Sequence, residues 1–135
     1  MFNRKKQAPQ KRIDSLIGAG TTVEGDVTFA GGVRVDGTIR GRVATVDNQP
    51  ATLVLSEQAR IEGEIRVSHV VINGSVSGPV MANDYLELQA KARVNGDVTY
   101  RTLEMHVGAI VQGKLIHAEQ ESAAVVVELK RATGE

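Results

Sequence analysis

An aliphatic residue, any residue, glycine, any residue and a second aliphatic residue recur six times in this chain. The copies run Val23–Val27, Val35–Ile39, Ile61–Ile65, Ile72–Val76, Val94–Val98 and Val111–Leu115, centred on Gly25, Gly37, Gly63, Gly74, Gly96 and Gly113. Self-similarity at this spacing is the signature of a repeat architecture. Taking Gly25, Gly41, Gly63, Gly78, Gly96 and Gly113 as equivalent gives sequence steps of 16, 22, 15, 18 and 17. The long step contains residues 45–51, where Asp47, Asn48 and Pro50 supply turn chemistry, so it reads as an inserted loop.

Side-chain parity identifies the repeating unit as β-structure. Val33, Val35, Gly37, Ile39, Gly41 and Val43 share one parity, and Arg34, Asp36, Arg40 and Arg42 take the other. Ala59, Ile61, Ile65 and Val67 alternate in the same way with Arg60, Glu62, Glu64 and Arg66. One face of each strand is therefore apolar and the other charged. Glycine falls on the apolar parity, where in a flat sheet it would leave a hole. At a corner, where the chain bends around its own core, the missing side chain is what permits the bend. Strands of about five or six residues turning at glycine, with a period of about 17 to 18 residues, give three strands per winding. The expectation is an all-β, single-domain β-solenoid with three sides and about six windings. A sandwich of hairpins would instead place two-residue turns such as Asn-Gly between strands, whereas Asn73-Gly74 and Asn95-Gly96 lie inside runs of continuous parity.

Three regions are expected: a disordered basic N-terminal arm over residues 1–15, the β-helix over 16–118, and a C-terminal tail over 119–135 with one possible extra strand. The arm opens with Met1 and Phe2, followed by Arg4, Lys5 and Lys6. Valine, isoleucine, leucine and phenylalanine total 37 of 135 residues, enough to build a core. Sixteen basic and sixteen acidic side chains balance, and only two tyrosines and two phenylalanines are present. Neither feature suits nucleic acid, which selects basic faces and stacking rings. With no cysteine, disulfides and thiolate metal sites are excluded. The longest apolar run is Ala123–Val127, far short of the roughly 20 residues that span a bilayer. The chain thus reads as soluble and cytoplasmic.

No catalytic constellation emerges. His69, His106 and His117 share neither a face nor a register, and Glu62 and Glu64 lie between Arg60 and Arg66 as a salt-bridged solvent face would. Gly18, Gly20, Gly31 and Gly32 precede no helix that could hold a phosphate. The reading is no catalytic residue, no cofactor, no metal and no nucleotide; the rival is a trimeric β-helical enzyme, acyltransferase-like or carbonic-anhydrase-like, using one of the histidines.

Two features carry physical consequences. A β-solenoid leaves unpaired strand edges and aliphatic core at each end, which proteins usually cover. Neither the approach through Ile13, Leu16 and Ile17 nor the exit through Leu115 and Ile116 offers a capping helix; residues Val125–Leu129 folding back are the alternative cap. Uncovered ends stack by strand addition. The arm, with Phe2 beside three cations, has the chemistry of a weak anchor for anionic lipid. One arm binds transiently, and many arms on a polymer bind firmly.

A basic, proline-containing start at Met1-Phe2 followed by Val-x-Gly-x-Val/Ile repeats from about Ile17 resembles the bactofilins, bacterial cytoskeletal proteins. The resemblance covers residues 13–118. It implies a right-handed, three-sided β-helix that forms a homopolymer without nucleotide, as non-polar filaments with head-to-head and tail-to-tail contacts. It also implies a place on the cytoplasmic face of the inner membrane and a scaffolding role for cell shape and for proteins of localised cell-wall synthesis or remodelling. Carried over by position, the membrane-binding residues would be Met1, Phe2, Arg4, Lys5 and Lys6. The polymer contacts would be Leu16, Ile17, Val23 and Val27 at one end and Val107, Val111, Leu115 and Ile116 at the other.

Overall fold

The computed structural model describes residues 13–118. The first circuit consists of β1 (Ser15–Ile17), β2 (Thr22–Glu24) and β3 (Val27–Phe29), and the second of β4 (Gly31–Val35), β5 (Thr38–Arg40) and β6 (Val43–Thr45). The chain continues through β7 (Ala51–Leu55), β8 (Arg60–Glu62), β9 (Ile65–Ile72), β10 (Ser75–Ser77), β11 (Val80–Leu88), β12 (Arg93–Asn95), β13 (Val98–Met105), β14 (Ile110–Gln112) and β15 (Leu115–His117). Every pairing is parallel, and each strand bonds to its equivalent one circuit away. The six-stranded sheet β2-β5-β8-β10-β12-β14 is one wall and counts six windings. The other strands form two further walls, joined because β9, β11 and β13 each run through the corner between them. The fold is a three-walled β-solenoid, as the repeat predicts.

Inside, each wall contributes a vertical column of aliphatic side chains that runs the length of the described coil, and the first wall adds a shorter one of Val33, Leu53, Val70, Leu86 and Leu103. The first long column is Ile17, Val35, Leu55, Ile72, Leu88 and Met105. The second is Val23, Ile39, Ile61, Val76, Val94 and Val111. The third is Val27, Val43, Ile65, Val80, Val98 and Leu115. In each of these three columns the four middle members are at most 2% exposed. Period-two alternation puts these residues inward, and parallel register stacks like upon like. The prism is narrow, so branched aliphatics fill it; among aromatic side chains only Phe29 is buried in the described core.

Strand lengths differ from expectation. Most of the strands are shorter than the five or six positions expected, and the longest, β9, β11 and β13, are two wall segments fused through a corner. The corner into the third wall is made by glycine. Gly25, Gly41, Gly63, Gly78, Gly96 and Gly113 form one column, in which a Cβ on any member after the first would fall on the carbonyl oxygen of the glycine below. Gly63, Gly78 and Gly96 also have φ of +154°, +144° and +150°, a region essentially reserved for glycine. Their N–H groups continue the ladder, with Gly63 donating to Ser77 O at 2.9 Å and Gly78 to Asn95 O at 2.9 Å.

Gly37 and Gly74 carry the same motif but stand at a different corner, between the first and second walls. There a Cβ on Gly37 would meet Gly18 O and Thr21 O. At this corner the windings use either a short bend, as at Asp36-Gly37 and Asn73-Gly74, or a longer turn, as over 56–59, 89–92 and 106–109. The glycine steps of 16 and 15 contain the short bend, and those of 22, 18 and 17 contain the longer turn. The longest step also holds the predicted insertion, a single 3-10 turn over Val46–Asn48 in which Asp47 adopts φ 52°. Thr45 and Ala51, the ends of the expected loop, belong to β6 and β7.

Candidate functional site: the ends of the coil

The aliphatic columns do not stop before the ends of the described coil. At the N-terminal end Ile17, Val23 and Val27 are half-buried members of the three columns. At the C-terminal end Met105 is 43% and Leu115 44% exposed, although Leu88 and Val98 one winding below are fully buried. Both ends also present strand edges, because among the described residues β1, β2 and β3 at one end and β14 and β15 at the other each pair on one side only. Apolar core cross-section with unpaired backbone around it is the physical requirement for adding another strand layer.

The sequence-derived end residues fall into two sets. Ile17, Val23, Val27, Val111 and Leu115 point into the columns. Leu16 and Ile116 pair with Arg34 and Thr99 on the outer faces and are 62% and 41% exposed. Val107, in the turn of the last winding, is 97% exposed. Sequence reasoning missed Met105 and Ile110, both exposed at the same end. The signal was the period: Met105 follows Leu88 by the same step that leads from Gly96 to Gly113. Met1, Phe2, Arg4, Lys5 and Lys6 lie outside the described residues, as do Val125–Leu129.

Charged side chains stack on the outer walls as the core stacks within. Arg40 reaches Glu24 at 2.9 Å and Glu62 at 3.4 Å, one winding to either side. Its guanidinium is held above its ordinary pKa, first by the hydrogen bond to Glu24. Glu64 pairs with Arg66 at 2.8 Å and Arg42 at 3.6 Å. The expected salt-bridged face around Glu62 and Glu64 is present, but Arg40 and Arg42 join it from the neighbouring winding. Such exposed pairs contribute little individually and act mainly to fix register and solubility.

Each of the three histidines has its own set of neighbours. The ring of His69 lies 6.4 Å from that of Tyr85, and His117 Nε2 is 3.0 Å from Arg101 O. His106 Nε2 lies 3.1 Å from Glu104 and 3.3 Å from Glu87. The Tyr85 hydroxyl donates to Glu104 at 2.6 Å; that bond, with burial and the Glu87 charge, pushes the phenol above its ordinary pKa. The same bond, followed by the contact with His106, holds the Glu104 carboxyl below its ordinary value. Two surface depressions are open and polar, one beside Arg34, Asp36, Ser56 and Asn73, the other beside Arg60, Ser75 and Arg93, and neither is lined by a histidine. Among the described residues no helix is long and apolar enough to cross a membrane.

A three-walled solenoid whose core columns run out into both ends of the described coil defines a β-solenoid repeat protein. A family model described as bactofilin, polymer-forming cytoskeletal, matches residues 15–116, and the chain belongs to that family. Bactofilin BacO of Myxococcus xanthus (strain DK1622) is 24% identical over 102 residues, covering 76% of this chain and 78% of BacO. Bactofilin BacP of the same organism is 22% identical over 129 residues, covering 95% of this chain and 52% of BacP. No solved structure matches the chain significantly.

Proposed function

We propose that this chain stacks end to end, without nucleotide, into non-polar filaments that lie on the cytoplasmic face of the inner membrane and scaffold cell shape or localised cell-wall synthesis. The observation that carries the reading is the exposure of Met105 and Leu115 at the top of columns whose middle members are fully buried. A second copy placed on that end completes the columns and pairs the free strand edges. Burial of apolar surface yields about 25 cal/mol per Å², so a prism cross-section of leucine, methionine and valine supplies a favourable contact with no cofactor. The family's polymer-forming character agrees with it.

The test is negative-stain electron microscopy of the purified full chain in nucleotide-free buffer containing EDTA. Filaments a few nanometres wide are the expected result. Discrete compact particles at high protein concentration would overturn the reading, because they would mean that the ends are covered.

Membrane attachment is assigned to Met1, Phe2, Arg4, Lys5 and Lys6. Near an anionic surface each basic residue contributes about 1 kcal/mol, and a polymer multiplies the contact. Deleting residues 1–8 is expected to abolish co-sedimentation of filaments with vesicles containing anionic phospholipid while leaving polymerisation intact. Retention of lipid binding by the shortened chain would place the anchor elsewhere.

A further inference from the structure

Parallel winding sets each outward side chain against its equivalent one circuit away, so charge placement along a wall is not neutral. Three register pairs among the described strands put charge opposite charge. Glu24 faces Arg40, and Arg40 faces Glu62, both of opposite sign. The third, Glu87 on β11 facing Glu104 on β13, is a like-charge pair. Two carboxylates in direct register on adjacent strands repel, whereas the other two charged register pairs join opposite signs, so this position favours a cation.

The groups around the pair are suited to holding one. His106 begins the turn after β13, and its Nε2 faces both carboxylates, at 3.1 Å from Glu104 Oε2 and 3.3 Å from Glu87 Oε2. The candidate ligand atoms of Glu87, Glu104 and His106 all lie within 4.8 Å of one another. Two neutral groups donate to the pair: the Tyr85 hydroxyl to Glu104 at 2.6 Å and the Gln89 amide to Glu87 Oε2 at 3.0 Å. Arg101, on β13 with Glu104, is directed to Asp84, at 3.5 Å. Outer hydrogen bonds of this kind aim carboxylates at a metal and fix their lone pairs.

We propose that Glu87, Glu104 and His106 form a binding site for a divalent transition ion of the zinc class. One imidazole nitrogen and two carboxylate oxygens match the nitrogen-and-oxygen ligation that zinc accepts, with a fourth position left for water. Calcium and magnesium prefer all-oxygen sets, and soft ions prefer thiolates, which this chain lacks. Metal ligands must be unprotonated, so protons compete with the ion and binding weakens in acid. It ties β11 to β13 and thereby fastens the winding that carries Met105 at the open end. The site stands independently of the assembly reading, since its ligands all belong to one chain.

The test is titration of the EDTA-treated, chelator-free full chain with zinc against a chromophoric zinc indicator, at neutral and at mildly acidic pH. One zinc per chain is expected, together with a zinc-dependent rise in melting temperature. His106→Ala and Glu104→Gln each lose at least about tenfold in affinity and the thermal shift with it, and Tyr85→Phe loses about tenfold. His69→Ala leaves both unchanged. Circular dichroism of the variants checks that the coil is intact. Absence of zinc binding by the parent chain, or equal binding by folded His106→Ala and Glu104→Gln, overturns the proposal.

Discussion

Replacing Leu115 with arginine is expected to abolish long filaments and leave short soluble species whose circular dichroism matches that of the parent. Leu115 tops the column built on Val98, Val80 and Ile65, and it is 44% exposed in the single chain. An arginine there extends its guanidinium into water, so the isolated coil loses little. A second copy laid on this end would bury the guanidinium against apolar side chains with no carboxylate of the column to meet it. Burying an unpaired charge costs several kcal/mol even after relaxation, enough to cancel a contact built from one prism cross-section. Leu115→Met keeps volume and polarity and should retain filaments. The size of the residual species reports the symmetry. If like ends meet, blocking the C-terminal end leaves dimers joined through Ile17, Val23 and Val27, and adding Ile17→Arg reduces them to monomers. Head-to-tail stacking would give monomers from the single change. Sedimentation velocity distinguishes the two, and undiminished filaments in Leu115→Arg would exclude this end as an interface.

Much of this architecture was legible because two strong constraints act at once. Alternation separates Val35, Ile39 and Val43 from Arg34, Arg40 and Arg42, and inward glycine marks the corners, so wall number and winding count follow from the sequence. The equivalence of Gly25, Gly41, Gly63, Gly78, Gly96 and Gly113 needed no structure either, because this series keeps the steps nearly equal outside the insertion. What stayed hidden is set by stacking between windings. Gly37 and Gly25 carry the same motif, yet which corner each occupies depends on the residues above and below it. Arg40 takes its partners from the windings on either side, Glu24 before it and Glu62 beyond the insertion, so local sequence points to the wrong neighbours. Glu104 and His106 are visible together in the sequence, but Glu87 joins them only through the register of β11 on β13.

Gly63→Ala, measured in the Leu115→Arg background at fixed protein concentration so that assembly does not mask the result, should destabilise the coil by about 3–5 kcal/mol. Two costs combine at this position. At φ +154° an L-residue is strained, which amounts to about 1–3 kcal/mol. The new Cβ would also fall on the carbonyl oxygen of Gly41. Relief requires β8 and β5 to separate at the corner where Gly41 N donates to Glu62 O at 3.0 Å, and overpacking of this kind costs about 1–3 kcal/mol. Since folded domains hold only about 5–15 kcal/mol in all, one methyl group at mid-column should shift the denaturant midpoint by a large fraction of its value. Gly18→Ala provides the contrast. No atom lies within 4 Å of a Cβ built there, and its φ lies outside the left-handed range, so the change should stay within about 0.5 kcal/mol. Equal midpoints for the two variants in guanidinium chloride would show that the glycine column does not hold the corner. A large gap between them would show that the spacing of windings is set by backbone packed directly on backbone, with the aliphatic columns following its register.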